Sequence, residues 1–384
     1  MKNRVVRLRD VASLNISNRR QNEKKIAYLD TGNIIENRVI KIQYFDYLDN
    51  IPSRAKRKVK EEDTIFSMVR PNQKHFGYIN RSMENLIVST GFSVVTPNKN
   101  KINSRYLFYL LTNNEVINIF QKLAEGCVST YPTLSLRDLL DFEFKLPSLE
   151  EQKRIADILT ALDDKIELNN QMNQTLEEIA SLLYKRWFVD FEFPDDKGNP
   201  YKSSGGEMVD SELGMIPKGW EVKELGEVLE ISSGNRPVQK SEEKTKENIF
   251  PIVGASKIMG YTNNYILDDT NEVLIIGRVG TLGIIQEYRE KIWVSDNTLI
   301  IKSNFQNYIK QYLSNVDFYS LNSGSTQPLI TQTTINKLLI VVPCNKVTDK
   351  FEKIESSNVK IKFSNTYEIK KIQRLKRELL KELI

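Results

Sequence analysis

Residues 147–183 read PSLEEQKRIADILTALDDKIELNNQMNQTLEEIASLL, one proline followed by thirty-six residues free of proline and glycine. Ile155, Leu159, Leu162, Ile166, Asn169, Asn173, Leu176, Ala180, Leu183 and, just beyond, Trp187 recur every three or four positions. A spacing near 3.5 predicts a long helix with a narrow seam, which takes one partner helix rather than a broad core. Ser148 followed three residues later by Glu151 fits a capping box at its start. A seam this long needs a second helix of similar length.

Sliding the chain over itself until Pro132 falls on Pro328 finds one. Leu139 then lies on Ile335, Phe142 on Leu338, Phe144 on Ile340 and Pro147 on Pro343. A glycine and a Ser-Thr pair precede each first proline: Gly126, Ser129 and Thr130; Gly324, Ser325 and Thr326. Beyond the second prolines the same shift lays Ile155 on Phe351, Ile158 on Ile354, Asn169 on Asn365, Leu176 on Ile372 and Leu183 on Leu379. A second helix is expected from about Val347 to Ile384, with a weaker seam and no capping box. Upstream, loops of different length make the match drift. VRLRDVA from Val6 resembles VKELGEV from Val222, DTIFSMVRP resembles EVLIIGRVG, and LIVSTGFSVVTP resembles KIWVSDNTLIIK, the last two pairs reading as apolar strands. The chain is a degenerate two-unit repeat of mixed α/β units, each ending in a long helix. Asn169 and Asn173 either mark a poorly packed stretch of seam or are buried to fix register. The coincidence of Asn169 with Asn365 favours the second; in antiparallel helices meeting near their middles, those two would lie close together.

At 384 residues the chain exceeds one ordinary core. Its 55 basic and 50 acidic side chains leave +5, a mild excess compatible with a polyanion. Cys127 and Cys344 fit no metal or redox spacing and suit a reducing cytoplasm. No run approaches a membrane span, and the first residues lack the apolar core of a signal peptide. FPDDKGNPYKSSGGEMVDSELGMIPKGW, from Phe193, has linker composition. PSRAKRKVKEE, from Pro52, is the densest basic cluster.

A reaction centre is hard to assemble. The single histidine, His75, sits in RPNQKHFG without partners for a triad or a metal. GRVGTLG, with Gly277, Gly280 and Gly283, lacks the lysine and spacing of a phosphate loop and reads as strand-turn-strand. Asn199-Pro200-Tyr201 falls short of an adenine methyltransferase signature, and the acidic pair Asp195-Asp196 lies in a loop rather than at separated positions of a nuclease core.

PTLSLRDLLDFEFKLPSLEEQKRIADILTALDDKIELNNQ, then LLYKRWFVDFEFP, PYKSSGGEMVDSELGMIPKGWEVKELGEV and PIVGASKIMGYTNNYILDDTNEVLIIGRVGTLG together resemble the DNA specificity subunit of type I restriction-modification systems. The resemblance spans nearly the whole chain. It implies an α+β fold: two mixed α/β target recognition domains in pseudo-twofold repeat, separated by two long antiparallel coiled-coil helices. The boundaries expected are a first recognition domain over 1–148, a spacer helix over 149–190, a linker over 191–217, a second recognition domain over 218–346 and a second helix over 347–384. The family reads a split site in double-stranded DNA and binds no cofactor itself. S-adenosylmethionine is expected in two modification (methyltransferase) subunits, ATP and magnesium in restriction subunits that translocate and cut. The helices then serve as spacer and docking surface, with Ile155, Leu159, Leu162, Ile166, Asn169, Leu176, Leu183, Asn365, Ile372 and Leu379 as the assembly seam. The second half departs from the family where VPCNKVTDKFEKI replaces LPSLEEQKRIADI, and the amino terminus lacks the IPKGW entry found before the second half.

DNA recognition calls for cations on phosphates and planar polar groups on base edges. In the first half the candidates are Arg19, Arg20, Lys24, Lys25, Arg54, Lys56, Arg57, Lys58, Lys60, Arg70 and Lys74. In the second they are Arg236, Lys257, Tyr261, Asn263, Asn264 and Arg278. A diverged methyltransferase or nuclease acting alone, and a coiled-coil adaptor that binds only protein, are the rival functions.

Overall fold

A computed structural model describes residues 4–19, 25–46, 50–81, 85–126, 131–268, 273–324 and 327–384. The chain forms two compact units, Met1–Asn169 with Tyr367–Ile384, and Asn170–Thr366. Arg20, Lys24, Cys127, Ser129, Thr130, Ser325 and Thr326 lie outside the described residues.

In the first unit the strands are β1 (Arg4–Arg7), β2 (Ala12–Leu14), β3 (Ile26–Leu29), β4 (Ile34–Ile35), β5 (Arg38–Val39), β6 (Gln43–Phe45), β7 (Ala55–Lys58), β8 (Thr64–Ser67), β9 (Phe76–Tyr78), β10 (Leu86–Ser89), β11 (Phe92–Pro97) and β12 (Glu143–Leu146). Its helices are α1 (Leu8–Val11), α2 (Ser104–Leu111), α3 (Asn114–Glu125), α4 (Leu136–Leu140) and the first part of α5 (Leu149–Tyr184). Two four-stranded sheets run β2-β11-β8-β9 and β6-β3-β10-β7. Their inner strands, IAYL in β3, TIFS in β8 and LIVS in β10, are buried throughout, which is why they read as continuous rather than alternating runs. AKRK of β7 ends the named strands of its sheet, and its outer side is covered by the antiparallel bridge from Asn18 to Arg57. Asn103 and Asn113 cap α2 and α3, each accepting a backbone N–H at 2.9 Å. Phe66 meets Phe120 edge to face with ring centroids 5.6 Å apart, joining sheet and helix.

The second unit holds β13 (Met208–Val209), β14 (Ile216–Pro217), β15 (Glu221–Glu224), β16 (Glu230–Ser233), β17 (Phe250–Val253), β18 (Ile258–Thr262), β19 (Val273–Gly277), β20 (Ile285–Tyr288), β21 (Trp293–Val294), β22 (Thr298–Lys302) and β23 (Leu339–Val342). Its helices are the end of α5, α6 (Gln306–Ser314), α7 (Gln332–Asn336) and the first half of α8 (Asn345–Leu383), whose end belongs to the first unit. Its main sheet, β16-β22-β19-β20, repeats the order β2-β11-β8-β9. A smaller sheet, β18-β17-β21, repeats β6-β3-β10, including the one parallel pair in each. The shift that puts Pro132 on Pro328 superposes α4 on α7, β12 on β23 and the first residues of α5 and α8. Register repeats as well: Arg4 faces Leu146 in β1/β12, and Glu221 faces Val342 in β15/β23.

In each unit the long-helix segments pair antiparallel. Asp163 bonds Lys376 and Lys165 bonds Glu368 in the first; Asn173 bonds Asn365 and Glu177 bonds Lys362 in the second. Ile155, Leu159, Asn169, Ala180, Trp187 and Asn365 are buried, and Leu162, Ile166, Asn173, Leu176, Leu183, Ile372 and Leu379 are half-buried. Asn169 and Asn365 are buried without bonding one another. Asn169 donates to Glu368 at 2.8 Å and Asn365 to Asn173 at 2.9 Å, because side chains in an antiparallel pair reach the neighbouring turn. The capping box is half formed. Ser148 Oγ accepts the Glu151 N–H at 3.3 Å, while the Glu151 carboxylate turns to Arg154 at 2.6 Å.

The segment of linker composition is packed. Phe193 stacks on Tyr201 at 4.6 Å and on Trp220 at 4.9 Å, and β13 pairs with β14. Aromatic burial outweighs the turn-forming residues between them. The strand strings slip too. Laid end to end, DTIFSMVRP and EVLIIGRVG put Val69 on Arg278, but the bridges Val69–Thr133 and Val279–Leu329 put Val69 on Val279. Strands buried on both faces look alike in either register.

Four charges join the second unit's elements. Lys310 on α6 reaches Glu177 at 3.0 Å and Glu287 of β20 at 2.7 Å, and Lys362 bonds the same two carboxylates. Burial by itself would raise the Glu177 carboxyl, but Lys310 and Lys362 outweigh it and hold it below its ordinary 4.5. Burial would lower Lys310, and Glu287 and Glu177 outweigh that to raise it. A depressed carboxyl stabilises the fold above its unfolded pKa, and that contribution is lost as pH falls through the folded value. Glu177→Gln should therefore lower the melting temperature near pH 7 and lose that deficit as the pH falls below the ordinary 4.5 and through the depressed folded value. Parallel melting curves across that range would show that the carboxylate contributes nothing.

Candidate nucleic-acid interface

In the first unit the basic run follows β7. Val88 faces Arg57 and Ser89 faces Ala55, so Lys56 is the extra residue of a β-bulge and stands exposed. Arg57 is half-buried, and burial lowers its guanidinium from the ordinary value. Arg19 joins this edge: its N–H bonds Lys56 O at 2.7 Å, and Lys58 N–H bonds Ser17 O at 3.1 Å. Arg54, in the turn before β7, accepts the Thr90 N–H at 2.9 Å, and Gly91 O accepts the Met68 N–H at 3.0 Å. The β10–β11 turn thereby links the β7 edge to the segment that carries Arg70. Arg70 lies over the Tyr131 ring at 4.9 Å. Lys74 is paired with Glu36 at 2.6 Å, and Lys25 with Asp46 at 3.9 Å. Lys60 is exposed, its N–H bonded to Asp63 at 2.7 Å. His75 Nδ1 lies 2.6 Å from Ile34 O, a backbone tie.

The second unit gathers its candidates around the corresponding turn, between β21 and β22. Asn297 O accepts the Arg278 N–H at 3.0 Å, and Asp296 pairs with Arg236 at 2.7 Å. Gly234 is required here, since a Cβ would lie 2.2 Å from Ser295 O. Gly277 likewise lets the 254–257 loop close in, its virtual Cβ 2.5 Å from Ala255 O. That loop presents Lys257, exposed. Gly277–Gly283 connects antiparallel β19 and β20 as a strand-turn-strand. Tyr261 and Ser241 exchange backbone hydrogen bonds at 2.8 Å, and Asn263 donates to Gln239 at 3.0 Å, so both secure the 236–241 segment. Asn264 accepts the N–H of Tyr265 and acts as a turn former. Arg278 donates to Ser233 Oγ at 3.1 Å, a hydroxyl that also accepts from Gln332 at 2.9 Å.

The shift that carries Arg4 onto Glu221 and Leu14 onto Ile231 also carries Arg19 onto Arg236. Their surroundings differ: Asn18 bridges Arg57 of β7, a strand without a counterpart among the described residues of the second unit's smaller sheet, whereas Asn235 N–H bonds Val294 O of β21. Tyr131, Ser233, Asp296 and Gln332 contribute to the site without a sequence signal of their own.

The family of type I restriction modification DNA specificity domains matches residues 2–178 and 217–375. The chain is 26% identical to the type I restriction enzyme HindI specificity subunit of Haemophilus influenzae, over 94% of this chain and 93% of the relative. It is 28% identical to the MjaIX specificity subunit of Methanocaldococcus jannaschii, over 80% of this chain and 74% of the relative. Among solved structures, the type I restriction-modification S subunit from M. genitalium shares the fold with a TM-score of 0.61 at 15% identity, covering 100% of this chain and 96% of that one. No helix among the described residues is long and apolar enough to cross a membrane.

Lys56, exposed on the bulge, has the reach of a phosphate contact. Lys56→Ala should weaken duplex binding about equally for all sequences and reduce the slope of log affinity against log salt by about 0.9. An unchanged slope in a salt titration would exclude the contact.

Proposed function

This chain belongs to the family of type I restriction modification DNA specificity domains, and from that premise we propose that it is the subunit that reads the DNA target of a type I restriction-modification complex. The chain is not an enzyme. Each repeat reads one half of a bipartite site in double-stranded DNA. Two modification subunits dock on the helical outer faces and methylate adenine with S-adenosylmethionine, and restriction subunits use ATP and magnesium to translocate and cut. The complex works in the cytoplasm. Segments 149–190 and 347–384 are the spacers, 191–217 joins the halves, and 1–148 and 218–346 do the reading, with the candidate cations described above on the DNA.

The observation that supports this reading is the double occurrence of one topology, with an arginine-bearing turn at the same place in each copy. Coexpression with the modification subunit, followed by methylation mapping of cellular DNA, tests it. Paired methylated adenines in two short half-sites around an unspecified gap are expected. Methyl transfer or cleavage by the chain alone would make it an enzyme, and a complex that binds no duplex at any salt would make it a protein-only adaptor.

The spacer role has its own test. One heptad added to α5 beside Asn169 and one to α8 beside Asn365 preserves the seam and lengthens each helix by ~10.5 Å, about three base pairs. The half-sites also turn by roughly 100° about the duplex. The lengthened chain should lose its original site and favour the same half-sites with a longer gap. Undiminished methylation at the original gap would refute the ruler.

A further inference from the structure

The two units share a β-bridge next to the interface, Val69–Thr133 in one and Val279–Leu329 in the other. The flanking hydrogen bonds correspond one for one. Arg70 N–H bonds Pro132 O at 2.9 Å where Gly280 N–H bonds Pro328 O at 3.0 Å. Leu134 N–H bonds Met68 O at 2.7 Å where Ile330 N–H bonds Arg278 O at 2.9 Å. Arg70 therefore stands where the other unit has glycine, and Arg278 where the other has Met68. Each unit brings one arginine to this bridge, from opposite sides of the valine.

The backbone at the first of these positions is left-handed in both units, with φ 47° at Arg70 and 77° at Gly280. Glycine adopts that region freely; a residue with a Cβ does so at a cost, and Pro71 after Arg70 narrows the choice further. The first unit keeps a strained arginine where its twin shows that glycine suffices. Strain retained at a surface turn points to a use for the side chain.

Both guanidinium groups have donors to offer. Neither forms an ion pair with a described residue, unlike Arg236 and Lys74 nearby. The Arg70 guanidinium carbon lies 4.9 Å from the centre of the Tyr131 ring, itself 55% exposed, within cation–π range, and no hydrogen bond to a described residue engages its N–H fork. Arg278 has one neutral partner, Ser233, on Nη1; its Nε is buried without a hydrogen bond, which leaves Nη2 and the second Nη1 hydrogen as its donors. A planar fork of this kind matches the O6 and N7 acceptors of guanine in the major groove.

Resting on the DNA-reading function above, we propose that Arg70, steadied by Tyr131, and Arg278, held by Ser233, each read a guanine in the half-site of its own unit. The test uses the complex with the modification subunit, carrying Arg70→Gly, Arg70→Lys or Arg278→Ala, with methylation mapping over randomised half-sites. Arg70→Gly relieves the backbone, so the melting temperature should hold or rise, while one guanine in one half-site loses discrimination by roughly tenfold to a hundredfold. Arg70→Lys keeps the charge without the fork and should lose the same position. Arg278→Ala should relax one position in the other half-site only. Uniform weakening rescued by Arg70→Lys would make Arg70 a phosphate contact and overturn the proposal, as would a fall in melting temperature with both half-sites affected, or no change at all. A wild-type complex without a bipartite target would instead bring down the DNA-reading function itself.

Discussion

The main hydrophobic core of each unit is closed by helix segments from both halves of the sequence. Ile155, Ala156 and Leu159, at the start of α5, belong to the first unit's core, and Leu379, Leu380, Leu383 and Ile384, at the end of α8, pack against it. The second core contains Val347 and Phe351 from the start of α8 together with Tyr184, Trp187 and Phe188 from the end of α5 and its π-helical continuation. Neither core is complete in a contiguous stretch of chain. The bond from the Asn113 side chain to Leu380 O, 267 positions apart, is one result. Any change that shifts one helix along the other disturbs a core as well as a seam.

Polar side chains fix where that seam stands. In the first unit Tyr109 donates to Asp163 at 2.8 Å, and Lys376 pairs with the same carboxylate beneath the tyrosine ring. The second unit uses two lysines and two glutamates. Partly buried ion pairs add little net stability because desolvation offsets attraction, but a helix that slipped by one turn would strand each charge without its partner. Buried Asn169, with only its amide nitrogen satisfied, has the same character: costly to bury, selective in register.

The candidate interface depends on the same repetition. One turn, β10–β11 in the first unit and β21–β22 in the second, accepts the N–H that positions Met68 or Arg278, so a common backbone frame carries different side chains. Glycines permit the close approaches at Gly234 and Gly277, and the arginines nearby differ in whether a carboxylate already holds them. Exchange of side chains on a constant frame is how a recognition surface can change its target without changing its fold.

Several features were legible in residues 147–183 and their repeat. The seam from Ile155 to Leu183 is a local period. The correspondences Pro132 with Pro328 and Pro147 with Pro343 fall on elements that superpose without a gap, because β12 and β23 lead into their helices through connections of equal length. Family membership was legible for the same reason, being carried by motifs in order along the chain. Other features needed the tertiary structure. The one-residue slip between DTIFSMVRP and EVLIIGRVG was hidden because strands buried on both faces carry no alternation to set register. The packing of Phe193, Tyr201 and Trp220 was hidden by the glycines and serines between them. Which cations stand without a carboxylate depended on partners such as Asp296 for Arg236 and Tyr131 for Arg70, sixty or so positions away in the chain. Periodicity and order are written in neighbouring residues; charge pairing and strand register are decided by residues that only folding brings together.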